Sequence, residues 1–181
     1  MIDPQDSKTI GYHLFLEPEN SLRGELQEII TKLADENHAP GFPPHVTLLA
    51  RIPDEPLETL QEKARKLAGM LSPLELTLAE LGAEEKYFKA LYAEIKEQDA
   101  IAAYHQKANE FFGMQDEGAY AAHLSLLYGN YEPEDIAHIR ANLVYPKGVS
   151  FTVRKIHLYK TDGEASNWKK VAEFPMQANT A

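Results

Sequence analysis

The sequence predicts an α+β fold that is duplicated within one domain and forms two pseudo-symmetric lobes. A pattern of histidine, apolar residue, hydroxyl residue and two leucines occurs twice, at 45–49 (HVTLL) and at 123–127 (HLSLL), 78 residues apart. The segments around the two copies follow the same order of strand, helix, strand, helix and strand. We therefore expect a single bilobal domain over 1–181, with approximate halves at 10–82 and 87–160.

The first strand and first helix of each half can be placed from local patterns. Residues 10–17 (IGYHLFLE) and 87–95 (YFKALYAEI) are rich in aromatic and apolar residues, which is typical of strands. Apolar residues then recur at helical spacing after Ser21 in the first half and after Asp99 in the second. Serine and aspartate both favour the N-cap position, so these two residues are predicted to begin the helices.

The second helix and the third strand of each half follow the repeated pattern. They are predicted, in chain order, at 52–69 (IPDEPLETLQEKARKLAG), 74–79 (LELTLA), 131–143 (YEPEDIAHIRANL), 149–153 (VSFTV) and 156–159 (IHLY). The alternation slips between Val153 and Ile156, which suggests a β-bulge within one continuous strand. A closing strand is predicted at 168–174 (WKKVAEF).

Composition limits the class of protein and its partners. Hydrophobic residues make up 44% of the chain and charged residues 25%, as in soluble globular domains. No apolar run approaches the roughly 20 residues of a membrane span, and the N-terminus does not resemble a signal peptide. The chain has no cysteine, which excludes disulfides, thiol catalysis and thiolate metal sites. A cytoplasmic monomer without a membrane partner is the expectation.

The net charge of −10 argues against a long nucleic acid as partner, because such binding usually needs a basic face. A small phosphate ligand is compatible with this charge, since its site needs only a few local donors.

The repeated pattern carries groups that suit phosphodiester chemistry. Side chains alternate along a strand, so His45 and Thr47 share one face, as do His123 and Ser125. Two lobes that bring these faces together would place two imidazoles and two hydroxyls around one cleft. One imidazole could accept a proton from the nucleophile while the other donates one to the leaving oxygen. The hydroxyls could bind the phosphate oxygens, and this scheme needs neither a metal nor another cofactor.

A structural interpretation of the same residues stays open. A duplication can retain a structural histidine twice, and the hydroxyls can satisfy backbone groups. The other histidines lack a paired setting, and His105 and His138 are expected at the surfaces of helices. No His-x-x-x-His pair is present on a predicted helix, which argues against a zinc site.

At these residues the chain resembles the two-histidine (2H) phosphoesterase superfamily, whose hallmark is a pair of His-x-Thr/Ser-x motifs. The resemblance covers nearly the whole chain, and it is closest to the cyclic phosphodiesterase of plants and yeast. Its most specific segments are PHVTLL at 44–49, HLSLLY at 123–128 and LYKTDG with the later tryptophan at 158–168. It implies a bilobal fold in which antiparallel sheets line a central cleft and helices lie outside.

The resemblance also implies an activity and a set of site residues. These enzymes hydrolyse ADP-ribose 1″,2″-cyclic phosphate and open nucleoside 2′,3′-cyclic phosphates to 2′-phosphates, without a metal. By position, His45 and His123 match the catalytic pair, and Thr47 and Ser125 match the hydroxyls that bind phosphate. Tyr128 matches a tyrosine that faces the ligand, so the expected partner is a small cyclic phosphate nucleotide.

Some assignments stay open at this point. The family often carries an aromatic residue in its first strand that packs on the base, and Tyr12, His13 and Phe15 are all candidates here. Phe88 and Tyr87 could line the cleft, but packing in the core is the expectation for both, and Trp168 is expected to support structure. An enzyme that acts on RNA 2′,3′-cyclic phosphate ends or on 2′–5′ linkages is the alternative function. A non-catalytic nucleotide-binding module is a further alternative.

Overall fold

Four α-helices and eight β-strands make up the computed structural model, which describes residues 7–115 and 118–177. The strands are β1 Tyr12–Leu16, β2 Val46–Ile52, β3 Leu74–Gly82, β4 Leu91–Ile95, β5 His123–Leu127, β6 Ser150–Val153, β7 Lys155–Lys160 and β8 Lys169–Pro175. The helices are α1 Asn20–Asn37, α2 Leu57–Met70, α3 Gln98–Phe112 and α4 Pro133–Asn142. The prediction of an α+β fold is confirmed.

The strands form one antiparallel sheet in the order β6-β3-β4-β5-β2-β1-β7-β8. The two strands that carry the repeated pattern, β2 and β5, are neighbours at its centre, where Val46 pairs with Leu124. The third strand of each half crosses to the other half, since β3 pairs with β4 and β7 pairs with β1. The two halves of the sequence are therefore interleaved in the sheet.

The predicted bulge between Val153 and Ile156 is wrong. The chain breaks at Arg154 into two strands, of which β6 pairs with β3 and β7 pairs with β1 and β8. Because only Arg154 separates strands from distant positions in the sheet order, the sheet must curl to bring them together. The predicted strand at 87–95 is also shorter, since a 3-10 helix at Tyr87–Lys89 precedes β4.

Three of the helices, α1, α2 and α3, pack on the sheet and close the main core. Helix α1 packs on β5, α3 packs on β2, and α2 packs on β7 and β8. The buried face of α1 has the helical spacing that the sequence predicts: Leu22, Leu26, Ile30 and Leu33. Each strand that carries the repeated pattern is therefore backed by a helix from the other half.

The two predicted N-caps are wrong. Glu19 and Glu97 occupy the cap positions, and neither makes a side-chain cap hydrogen bond, so α1 and α3 begin before Ser21 and Asp99. The carboxylate of Glu97 instead accepts hydrogen bonds from the backbone N–H and the hydroxyl of Thr77, at 2.7 and 2.8 Å. A tertiary contact with β3 thus takes the place of local capping.

No helix within the described ranges has the length and apolar character needed to span a membrane.

Gly11, just before β1, lies close against the backbone of β2. It has φ +82°, and a Cβ at this position would lie 2.3 Å from the carbonyl oxygen of Ile52. The Lys-Thr-Asp segment holds Gly11 in place: its N–H donates to Asp162 Oδ1 at 2.8 Å, and its carbonyl accepts from Thr161 N and Oγ1 at 3.0 and 3.1 Å. This segment therefore has a structural role at the start of the sheet.

We expect the substitution Gly11→Ala to lower the free energy of unfolding by about 2–5 kcal/mol, because it adds left-handed strain and a backbone clash. Gly163→Ala is the matched control, since Gly163 also has φ +82° but, apart from its chain neighbours, no described residue has an atom within 4 Å of the added Cβ. Urea unfolding of both variants measures the difference. Equal destabilisation of the two variants would contradict the clash at Ile52.

Candidate active site

A cleft of about 660 Å³ lies over the centre of the sheet. The four residues of the repeated pattern line it: His45 and Thr47 from the first copy, and His123 and Ser125 from the second. In the antiparallel register set by Val46 and Leu124, His45 is next to Ser125 and Thr47 is next to His123. The residues that the sequence predicts are therefore brought together, as neighbours on adjoining strands.

Both imidazoles are oriented by the same local hydrogen bond. His45 Nδ1 lies 2.7 Å from the carbonyl oxygen of Pro43, and His123 Nδ1 lies 2.9 Å from that of Ala121. A carbonyl oxygen can only accept, so each Nδ1 carries the proton in these bonds. The Nε2 atom of each neutral ring therefore keeps its lone pair, which is the form needed to accept a proton.

The pKa of both histidines is lowered by burial. For His45 burial lowers the pKa to about 4, although the hydrogen bond to Pro43 and the charge of Glu17 act in the opposite direction. For His123 burial is again the main cause of the lowered pKa, with the Ala121 hydrogen bond opposing it. The lowered pKa values favour neutral rings near pH 7. An anion bound between the rings would favour the protonated form.

The two hydroxyls differ in their hydrogen bonds. Ser125 is buried and its Oγ donates to the carbonyl oxygen of Phe88 at 3.0 Å. Thr47 is half-buried, and its hydroxyl makes no hydrogen bond with any residue in the described ranges. Thr47 can therefore donate to a phosphate oxygen directly, whereas Ser125 must first turn away from Phe88.

Tyr128 lies at the base of the cleft. It is buried, lines the cleft and stacks on Phe42 with ring centroids 3.8 Å apart. Burial raises the pKa of its phenol, so the hydroxyl keeps its proton at neutral pH. It could donate that proton to a ligand.

The structure resolves which first-strand residues face the cleft. His13 and Phe15 line it, and Phe15 stacks directly on His45 with centroids 3.7 Å apart. Tyr12 is not among the lining residues and lies under the amine of Lys160, at 4.4 Å. Alternation along β1 accounts for this division, which the sequence left open.

Two aromatic residues that were expected to be structural also line the cleft. The rings of Phe88 and Trp168 lie nearly parallel, at 27°, with centroids 6.2 Å apart. Trp168 is held by its indole N–H, which donates to Thr9 Oγ1 at 3.0 Å. Both residues pack against the core, as expected, and both line the cleft as well. Phe88 lies in a short 3-10 segment and Trp168 directly follows one, so neither belongs to a periodic pattern.

The expectation that His105 lies at a surface is also wrong, whereas His138 is exposed as expected. His105 lines the cleft from α3, its Nδ1 donates to the carbonyl oxygen of Leu48 at 2.7 Å, and its ring stacks on Tyr120. Tyr120 donates to the carbonyl oxygen of Thr47 at 2.7 Å. These two side chains fix the backbone of β2 next to the candidate catalytic residues.

The cleft is positive although the protein is acidic. Lys8, Arg51 and Lys89 line it, although Lys89 is paired with Glu84 at 2.6 Å, and no aspartate or glutamate is found among the described residues that line it. In a chain of net charge −10 this local excess favours an anionic ligand. Within the described ranges, no group of three histidine, aspartate or glutamate side chains is placed to hold a metal ion.

An antiparallel sheet with two His-x-hydroxyl strands at its centre is the arrangement of a 2H phosphoesterase. The sequence model of the 2′-5′ RNA ligase superfamily matches residues 18–165, and the chain belongs to this superfamily. No curated protein sequence matches the chain significantly.

Several solved structures share the fold. The chain is 13% identical to E. coli LigT complexed with 3′-AMP, covering 94% of this chain and 99% of LigT with a TM-score of 0.63. It is 16% identical to TT0787 of Thermus thermophilus, covering 93% of this chain and 98% of that protein with a TM-score of 0.60. At these identities the likeness shows the fold.

Proposed function

We propose that this protein hydrolyses cyclic phosphodiesters without a metal, using His45 and His123 as its acid–base pair. The observation that supports this most is the matched setting of the two imidazoles. Each ring is fixed through Nδ1 by a carbonyl oxygen two residues earlier, and each lies beside a hydroxyl of the adjoining strand. Superfamily membership favours phosphodiesterase-type chemistry.

The proposed reaction is an in-line displacement by water at phosphorus. One histidine accepts a proton from the attacking water through Nε2, and a new P–O bond forms. The other, protonated once the anion is bound, donates its proton to the departing ribose oxygen as the ring P–O bond breaks. Thr47, Ser125 and Tyr128 donate to the non-bridging oxygens, where negative charge concentrates.

The proposed substrates are ADP-ribose 1″,2″-cyclic phosphate and nucleoside 2′,3′-cyclic phosphates, the latter opened to 2′-phosphates. Resemblance to the plant and yeast cyclic phosphodiesterase supports this choice. The flat faces of Phe88 and Trp168 offer a surface for a base. LigT has been crystallised with 3′-AMP, with ATP and with NADP+, which are ligands of this size. We propose that the protein works as a cytoplasmic monomer.

The alternative is an enzyme that acts on RNA 2′,3′-cyclic phosphate ends or on 2′–5′ linkages. The family description and the positive cleft favour it, and the net charge of −10 disfavours a long RNA. Turnover of a mononucleotide and an oligonucleotide at several salt concentrations separates the two. A strong preference for the oligonucleotide that weakens with salt would favour the alternative.

The primary test is incubation of the purified protein, with excess EDTA, with the four nucleoside 2′,3′-cyclic phosphates and with ADP-ribose 1″,2″-cyclic phosphate. We expect phosphorus NMR to show a nucleoside 2′-phosphate or ADP-ribose 1″-phosphate. Product that forms only after a divalent metal is restored would contradict the metal-free mechanism. Saturable binding of all these substrates without product would instead indicate a non-catalytic binding module.

A further inference from the structure

The edge of the cleft contains a β-bulge that presents Arg51. In the pairing of β1 with β2, Leu14 is opposite Leu49 and Tyr12 is opposite Ile52. One residue of β1, His13, therefore lies opposite two residues of β2, the second of which is Arg51. The extra residue in β2 changes the direction of the neighbouring side chains, as bulges commonly do beside functional sites.

Arg51 adopts an uncommon backbone conformation at this bulge. Its φ is +57°, in the left-handed region that is unfavourable for a residue with a long side chain. Ile52, which follows Arg51 in β2, is the residue whose backbone Gly11 closely approaches, so this contact lies directly beside the bulge. Strain of this kind persists where the surrounding structure holds it, and it clusters at ligand-binding positions.

The guanidinium of Arg51 has no acidic partner within the described ranges. It is exposed, lines the cleft, and makes no ion pair or hydrogen bond with any residue that the structure describes. Two other arginines have partners: Arg23 pairs with Glu17 at 2.5 Å, and Arg65 lies over the ring of Phe174. Lys8 is also exposed, has no acidic partner among the described residues, and lines the same cleft.

Arg51 lines the same cleft as the candidate catalytic histidines and is the neighbour of His13 at the bulge. His13 is buried, and its Nδ1 lies 2.6 Å from Thr161 Oγ1. Burial is the main cause of the lowered pKa of His13, and the charges of His45 and Arg51 lower it further. His13 lies opposite Arg51 in the bulge, and His13, Arg51 and His45 line the same cleft. A ligand whose reacting phosphate is at His45 could therefore reach Arg51 with a second anionic group.

We propose that Arg51, supported by Lys8, forms a second anion subsite that binds a phosphate on the 5′-oxygen of the ribose that carries the cyclic phosphate. This inference rests on the proposed function for its reaction and deepens it by naming a substrate class. A 5′-phosphate is shared by 5′-phosphorylated nucleotides, by the diphosphate of ADP-ribose and by the last internucleotide linkage of RNA. An unphosphorylated nucleoside 2′,3′-cyclic phosphate lacks it.

The experiment compares adenosine 2′,3′-cyclic phosphate with its 5′-phosphorylated form, as the ratio of their kcat/KM values. We expect the wild-type protein to prefer the 5′-phosphorylated form by about tenfold, equivalent to about 1.4 kcal/mol. Arg51→Asn should bring this ratio close to one, and Arg51→Lys should retain part of it. Asparagine is chosen because it adopts the left-handed conformation more readily than most residues.

Arg154→Asn is the matched control, because it removes the same charge at the junction of β6 and β7, outside the cleft. Its ratio should equal that of the wild type. A wild-type ratio near one, or a ratio that Arg51→Asn leaves intact, would overturn the subsite. Dinucleotides with a cyclic end and ADP-ribose 1″,2″-cyclic phosphate, measured in the same variants, identify which source of the 5′-phosphate the subsite favours.

A binding measurement separates failure of the subsite from failure of the proposed function. Calorimetry with adenosine 2′-phosphate and adenosine 2′,5′-bisphosphate gives the corresponding ratio of Kd values without turnover. If the wild-type protein hydrolyses neither cyclic substrate but prefers the bisphosphate in an Arg51-dependent way, the subsite stands and the hydrolase proposal fails. Equal affinity for both nucleotides would overturn the subsite, whether or not hydrolysis occurs.

Discussion

Replacing either His45 or His123 with asparagine is expected to lower kcat for a cyclic phosphate substrate by about 10²- to 10⁴-fold. The asparagine amide can still donate to the carbonyl oxygen of Pro43 or Ala121, as Nδ1 does in each histidine. It has no group that replaces Nε2, so proton transfer is lost while the local hydrogen bond is kept. Rates with saturating substrate, at pH 7 and with EDTA, measure the effect.

Two controls make this result specific. His138→Asn removes an exposed histidine of α4 that does not line the cleft, and it should retain wild-type kcat. Because the two histidines act in the same step, the double variant should lose little more than either single variant. A single variant at His45 or His123 with kcat within about threefold of the wild type would contradict the two-histidine mechanism, provided that circular dichroism shows a folded protein.

The repeated pattern could be predicted from the sequence because it is a local signal. Alternation along a strand places His45 with Thr47 and His123 with Ser125 whatever the rest of the fold does. The duplication then indicates that the two pairs are equivalent. The structure adds that β2 and β5 are adjoining strands, a non-local pairing that no local pattern contains.

The rest of the cleft could not be predicted, for identifiable reasons. Phe88 lies in a 3-10 segment and Trp168 directly follows one, and in such short segments no period marks the side that faces a ligand. His105 shares α3 with residues that pack on the sheet, and only tertiary contacts bring it to the backbone of β2. The bulge at Arg51 depends on the register between β1 and β2. Helix α1 lies between these strands in the sequence, so no tight turn fixes their register.

A second large effect is expected on stability, which should decrease as the pH falls from 7 to 5. His13, His45 and His157 are buried, and burial lowers their pKa from 6.5 to about 3, about 4 and about 4. In the unfolded chain these side chains take up protons as the pH falls through about 6.5, whereas in the folded protein they stay neutral until about pH 4. The unfolded state therefore binds more protons in this window, and the stability present above pH 6.5 is lost on acidification. Each buried histidine contributes about 2 kcal/mol to the loss at pH 5.

Urea unfolding at pH 7, 6 and 5 measures this loss of stability. His157 is the best residue to replace, because it is outside the cleft. Its buried Nδ1 makes no hydrogen bond in the described part of the chain, and the effect of burial on its pKa outweighs the carboxylates of Glu17 and Glu173 at 3.9 and 3.6 Å. His157→Gln should therefore reduce the loss at pH 5 by about 2 kcal/mol, while His138→Gln, on an exposed face of α4, should leave the loss unchanged. The range from pH 7 to pH 5 also distinguishes histidines from carboxylates. The pKa of Glu17 is lowered, so this carboxylate changes the free energy of unfolding only at lower pH. A free energy of unfolding that stays constant from pH 7 to pH 5 would mean that water reaches these histidines in the folded protein.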